Sequence, residues 1–229
     1  MAGGLATRLR PLTDAVPKAM VDIQGKPFLE YQLDLLRRNG VDDIVLCVGH
    51  LADQVREHFG DGRALGVRLQ YSDEGLKLMG TSGALKKAQP LLAEMFFVLD
   101  GDSYLALDYR GIMTGFEGRD KLALMVVYKN HDRYDKSNTA IDGGMVTAYD
   151  RGQKIPGLVH IHAGLSVLRR EALALIPGDR PSSQDELWSG LIARGQLMAF
   201  TASSRFYEVG SVSGLAEFRR RAKQGVFQC

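Results

Sequence analysis

From residue 26 onward, segments whose apolar residues recur at helical spacing alternate with short unbroken apolar runs, and this alternation restricts the fold more than any other feature. Runs such as IVLCV at 44–48 and MFFVL at 95–99 need apolar cover on both faces, and the intervening helices supply it. The pattern predicts an α/β fold, a Rossmann-like mixed and mostly parallel sheet flanked by helices. One helix starts at Pro27, carries Phe28, Leu29, Leu33 and Leu36 on one face, and stops at Gly40. Further helices are expected over 51–59 and 81–93, with strands over 67–71 and 122–128. Asp142-Gly143-Gly144 predicts a hairpin turn, and 159–168 reads as extended. Helices near 170–176 and 184–194, strands near 197–201 and 205–209, and a basic helix over 212–224 complete the chain.

The 29 basic and 27 acidic residues leave a formal net charge of +2, too balanced for a global field that would draw nucleic acid or an anionic membrane. Any anion site has to be local. Two cysteines, Cys47 and Cys229, do not make a disulfide scaffold. No run approaches the roughly 18 apolar residues of a membrane span, and the first residues lack the apolar stretch of a secretory signal. A cytoplasmic protein without nucleic-acid or membrane partners is expected, built as one continuous domain because no linker or repeat interrupts it.

Residues 3–20, GGLATRLRPLTDAVPKAM, carry the most specific signal. Gly3 and Gly4 admit backbone conformations that let amide hydrogens converge on phosphate oxygens. Arg8, Arg10 and Lys18 bring cations to the same loop, although Arg10 reads equally well as a solvated charge. The segment is neither a Walker A loop nor a GxGxxG fingerprint. Gly3-Gly4, Arg8-Leu9, Pro11-Leu12-Thr13 and Pro17-Lys18-Ala19-Met20 resemble the signature loop of the sugar-1-phosphate nucleotidylyltransferases. The resemblance implies the GT-A-like nucleotide-diphospho-sugar transferase fold, with Arg8 on the leaving β- and γ-phosphates and Lys18 on the sugar phosphate and α-phosphate. In that family the loop follows a buried apolar strand, whereas only Met1 and Ala2 precede Gly3 here, so the first strand is expected to be truncated.

The apolar run at 95–99 leads directly into Asp100-Gly101-Asp102, at the strand end where open α/β sheets bind ligands. By resemblance Asp102 is a Mg²⁺ ligand, and Glu208 in Phe206-Tyr207-Glu208-Val209-Gly210-Ser211 is the second, standing where the family has Asp. Asp100 assists or orients the loop. Glu74, Gly80, Thr81 and Gly83 resemble the nucleotide-binding region where a glycine-bearing turn meets a helix start. Asn138, Gly164 and Arg151 correspond to sugar-binding positions. His160 and His162 lie two apart on an expected strand and read as a partly exposed pair rather than a metal site, since no Cys/His cluster accompanies them.

Taken together the resemblance points to the D-glycero-D-manno-heptose 1-phosphate guanylyltransferase-like group. It implies an enzyme that joins an NTP, GTP favoured, to a manno-heptose or hexose 1-phosphate with Mg²⁺, giving a nucleotide sugar for cell-surface polysaccharide synthesis. About 1–128 would be the nucleotide-binding half and about 129–229 the sugar-binding half. A UTP-dependent uridylyltransferase and a non-catalytic nucleotide-sugar-binding relative are the alternatives.

Overall fold

The computed structural model describes residues 1–4, 7–75 and 78–227, so Cys229 lies outside the described residues. In chain order the elements are β1 (Asp22–Ile23), β2 (Lys26–Pro27), α1 (Phe28–Arg38), β3 (Asp43–Val48), α2 (Ala52–Phe59) and β4 (Arg68–Asp73). Then come α3 (Gly80–Ala88), β5 (Met95–Leu99), β6 (Ser103–Tyr104), α4 (Tyr109–Glu117), β7 (Ala123–Lys129), β8 (Thr139–Asp142) and β9 (Met145–Tyr149). Last are β10 (His160–Arg169), α5 (Gln184–Ala193), β11 (Leu197–Thr201), β12 (Tyr207–Glu208) and α6 (Val212–Lys223). The chain forms two compact units: Met1–Leu78 with Asp100–Tyr104 and Tyr207–Cys229, and Met79–Leu99 with Leu105–Phe206.

In the first unit, Gln24 and Gly25 take φ of 55° and 83°, the pair of left-handed residues that a two-residue hairpin requires, and so join β1 to β2. Pro27 ends β2 with φ −58° and ψ 144°, and α1 starts immediately after it. Phe28, Leu29, Leu33 and Leu36 are buried along one face of α1, as their spacing requires. β3 and β4 pair in parallel from Asp43↔Arg68 to Val48↔Asp73, with α2 as the crossover between them. Beside β3, the Ala2 N–H donates to the Cys47 carbonyl at 2.8 Å. The short strands β6 and β12 pair antiparallel, Tyr207 opposite Tyr104 and Glu208 opposite Ser103. α6 closes the unit through Phe218, whose ring stacks on Phe227 at 4.2 Å and meets the edges of Phe28 and Tyr104 at 5.1 and 5.5 Å.

The second unit holds a six-stranded sheet in the order β5-β10-β7-β11-β9-β8. β10 lies between β5 and β7, antiparallel to both, and its register shifts between His162 and Ser166, where Gly164 takes φ +81°. That departure is a β-bulge. Gly143 and Gly144, at φ 54° and 78°, turn β8 into β9 as the Asp-Gly-Gly sequence predicts.

The α/β class and the flanking helices are as expected, but the pairing departs from a mostly parallel sheet. Parallel pairing is confined to β3–β4 and β7–β11 among the described residues, and the other pairings are antiparallel. Alternation of helix and strand reports crossovers, and it is blind to a returning strand such as β10 that inserts between two earlier ones. α4 has no counterpart in the sequence expectations because Gly111 and Gly115 weaken its helical signal. Asp108 caps it by accepting the Gly111 N–H, and Tyr109, Ile112 and Phe116 bury its inner face. The segment Arg170–Leu175 is a 3₁₀ helix, and the strand expected over 205–209 is reduced to β12. No helix among the described residues is long and apolar enough to cross a membrane.

Phe218 is fully buried. Phe218→Ala should therefore cost about 3–5 kcal/mol through lost ring contacts and a residual cavity, measured as a fall in the urea midpoint.

Candidate active site

Lys18 opens a 3₁₀ turn, Lys18–Met20, immediately after Pro17, whose φ of −57° and ψ of 146° set the direction of the chain. Ala19 and Val21 are buried and anchor this turn to the core of the first unit. The ammonium of Lys18 forms a close, hydrogen-bonded ion pair with Asp102 Oδ2, joining segments 84 residues apart. The two side chains retain only 17% and 24% of their exposure, which keeps water from screening the pair. Burial on its own pushes the Asp102 carboxyl up. The charge and hydrogen bond of Lys18, with a further contribution from the charge of Arg8, outweigh it and hold the carboxyl below its usual value. Asp102 is accordingly a carboxylate near neutral pH.

Arg8 itself is exposed, held by the 3₁₀ turn Thr7–Leu9 through the buried side chain of Leu9. Arg10 behaves as the solvated charge: it pairs with Asp14 at 3.1 Å, and both side chains are more than half exposed. The loop bearing Asp102 is held from α1. Gln32, only 2% exposed, donates from Nε2 to the carbonyls of Asp100 at 3.0 Å and Ser103 at 2.7 Å.

Glu208 reaches the same place through the β6–β12 pairing and the Val209 N–H, which donates to the Asp102 carbonyl at 2.8 Å. A Cβ added to Gly210 would lie 2.5 Å from Asp102 Oδ2, 2.8 Å from Lys18 Nζ and 3.0 Å from Glu208 Oε2. One cation and two carboxylate oxygens thus surround a single point, and only glycine leaves it open. Asp102 Oδ2 and Glu208 Oε2 are hard oxygen donors of the type a divalent cation takes, with water or phosphate oxygens completing its shell. Glu74 lies beside the glycine loop, since a Cβ on Gly3 would stand 2.6 Å from its Oε1 and 3.2 Å from the Gly49 amide nitrogen. Gly3 thus lies in close approach to the Glu74 carboxylate and to the backbone at Val48 and Gly49. Gly4 is exposed and meets no such neighbour.

The other sequence-derived positions belong to the second unit. Gly80, at φ +72°, opens α3, and a Cβ there would meet the Ser182 carbonyl oxygen at 2.5 Å. The Ser82 and Gly83 N–H groups donate to that same oxygen at 3.1 and 3.3 Å. Two of the amides that a helix start leaves unpaired are thus engaged by the protein itself. Thr81 is exposed. Asn138 Oδ1 accepts from the His162 N–H at 2.9 Å and the Thr139 hydroxyl at 2.8 Å, which orients its amide Nδ2 as a donor. Gly164 forms the bulge of β10. Arg151 is exposed and follows Asp150, whose carboxylate accepts the amides of Gly152, Lys154 and Ile155 at 2.8, 2.5 and 2.7 Å. His162 is buried rather than partly exposed: its Nε2 lies 3.1 Å from the Ser166 hydroxyl, and its ring touches those of Tyr149 and Trp188. Among the described residues no group of three His, Cys, Asp or Glu side chains is arranged to hold a metal.

With this geometry in view, residues 1–136 match the family model described as nucleotidyl transferase. The chain belongs to the nucleotidyl transferase family. The chain is 30% identical over 171 residues to the D-glycero-alpha-D-manno-heptose 1-phosphate guanylyltransferase of Campylobacter jejuni, covering 75% of each chain. It is 28% identical over 230 residues to the UTP–glucose-1-phosphate uridylyltransferase of a Synechocystis species, covering 93% of this chain and 59% of that one. The chain thus spans less than two thirds of the Synechocystis relative. Among solved structures, HddC from Yersinia pseudotuberculosis superposes with a TM-score of 0.80 at 27% identity, covering 96% of both chains. Its complex with GMP-PN gives 0.78 at 26% identity, again over 96% of both.

Gln32, Gly210 and Ser211 are absent from the sequence-derived set. Gln32 left a trace there, being a polar residue on the apolar face of α1, one turn from Leu29 and Leu36. Gln32→Met keeps the volume but removes the buried donor from the Ser103 carbonyl and the second donor from the Asp100 carbonyl, so it should cost about 1–3 kcal/mol, read by urea denaturation.

Proposed function

We propose that this nucleotidyl transferase joins a nucleoside triphosphate to a sugar 1-phosphate and releases pyrophosphate. The convergence of Lys18, Asp102 and Glu208 about Gly210, beside a glycine loop carrying Arg8, is the observation that carries the reading. An oxygen of the sugar 1-phosphate attacks the α-phosphorus in line, a new P–O bond forms, and the bond to the β-phosphate oxygen breaks with its electrons going to pyrophosphate. The nucleophile is already anionic near neutral pH, so no general base is needed. Lys18 neutralises charge on the attacking and α-phosphate oxygens, and Arg8 does so on the leaving group. Gly3 and Gly4 bring backbone amides to the phosphates. Asp102 and Glu208 would hold Mg²⁺, which supplies charge neutralisation between phosphates.

GTP is the favoured nucleotide. Glu74 beside Gly3 carries an acceptor-only carboxylate, and guanine presents two adjacent N–H donors where uracil presents one. The guanylyltransferase relative from Campylobacter and the GMP-PN complex of HddC agree with this choice. Gly80, Thr81 and Gly83 complete the nucleotide-binding set. A manno-configured heptose or hexose 1-phosphate is the proposed acceptor, with its hydroxyls taken by the Asn138 amide, the Gly164 backbone and Arg151. The uridylyltransferase relative, similar along 93% of this chain, supports UTP as the second reading. The cellular role proposed is that of a cytoplasmic enzyme making nucleotide sugars for cell-surface polysaccharide.

Pyrophosphate release measured over four nucleotides and a panel of hexose and heptose 1-phosphates tests the reading. GTP with a manno-configured acceptor should give the highest kcat/KM. Lys18→Ala should lower turnover by about 10²-fold or more, and Glu74→Gln should narrow the gap between GTP and UTP. Nucleotide-sugar binding with no pyrophosphate from any pair would make the chain a non-catalytic relative.

A further inference from the structure

Glu208 does not stand alone in front of Asp102. Its Oε2 accepts the N–H groups of Gly210 and of Ser211, the latter at 2.9 Å, and its Oε1 accepts the Ser211 hydroxyl. The same Ser211 oxygen is the N-cap of α6, accepting the Gly214 N–H at 3.0 Å. A hydroxyl has one proton to give, and an ionised carboxylate can only accept it. Ser211 therefore donates to Glu208, and Ser213, 3.2 Å away, is the donor in its contact with Ser211.

This arrangement is a capping box with its acid moved elsewhere. In a capping box the third helical residue is Glu or Gln, and its side chain reaches back to the N–H of the N-cap residue. Here that third residue is Gly214, and the carboxylate on the Ser211 N–H comes from Glu208, outside the helix. Gly214 leaves the room for it. A Cβ on Gly214 would overlap Glu208 Oε1 and stand 2.5 Å from its carboxyl carbon and 2.6 Å from its backbone carbonyl oxygen, so the glycine clears both the side chain and the main chain of Glu208. Gly214 has no positive φ to account for it, and glycine inside a helix is normally unfavourable. A glutamate has one more rotatable bond than an aspartate, so a fixed orientation has to be imposed from outside. The first turn of α6 imposes it, and the positive end of the helix dipole favours the charge there.

We propose that Ser211 positions Glu208 for the divalent cation, its hydroxyl holding the carboxylate to the first turn of α6 while Gly214 provides the space. The inference rests on the reading of Asp102 and Glu208 as cation ligands. It makes Ser211 a positioning residue that touches neither substrate nor metal. The helix cap and the ligand share one hydroxyl, so the seating of α6 and the aim of Glu208 are coupled.

The test is Mn²⁺ binding to the full chain without substrates, followed by loss of the free-ion electron paramagnetic resonance signal. The variants are Asp102→Asn, Ser211→Gly and Ser211→Thr, each with a melting curve. Gly is a tolerated N-cap, so Ser211→Gly should melt near the wild type yet bind Mn²⁺ about 10-fold or more weakly. Ser211→Thr, which keeps the hydroxyl, should bind as the wild type does. Wild-type affinity in Ser211→Gly overturns the positioning role, and so does Ser211→Thr binding as weakly as Ser211→Gly. Mn²⁺ binding that Asp102→Asn leaves unchanged removes the cation reading itself, and the role of Ser211 with it.

Discussion

The ion pair between Lys18 and Asp102 is the interaction on which the candidate site depends. It joins the end of the glycine-rich loop to the loop after β5, and its partners are shielded enough for their attraction to outweigh the burial of the carboxyl. Such a pair is stable only while both partners remain in place, because removing one strands the other charge in a poorly hydrated setting. The surrounding contacts hold both ends. Buried Ala19 and Val21 anchor the lysine turn, and Gln32 anchors the carbonyls on either side of Asp102.

Space is the second constraint. The point shared by Lys18, Asp102 and Glu208 stays open because Gly210 has no side chain, and Glu208 docks on α6 because Gly214 has none. Gly3 admits Glu74 for the same reason. These glycines act through the atoms they lack. Their roles differ from those of Gly143 and Gly144, which serve a backbone conformation, and a sequence does not distinguish the two uses.

In the second unit the start of α3 is already engaged by Ser182, so Gly80 is explained by packing and by its φ before any ligand is considered. Asn138 is different. Its oxygen is saturated by His162 and Thr139, and its amide is left as a donor of defined direction.

The sequence alone determined the family through the 3–20 segment, because a phosphate-binding loop is contiguous and its spacing is preserved in one dimension. Periodicity likewise determined α1, β3, α2, β5 and α6, each formed by local hydrogen bonds or by a single apolar run. Only the tertiary structure decided what depends on contacts between distant segments. β10 inserts antiparallel between β5 and β7, and β12 brings Glu208 alongside Ser103 across more than a hundred residues. Asp102 was legible as a polar residue after a buried strand and Lys18 as a cation of the loop, whereas their pairing with each other, the support from Gln32 and the cradle at Gly210 were not. The physical reason is that periodicity records which face of an element is buried but carries no information on which distant segment covers it.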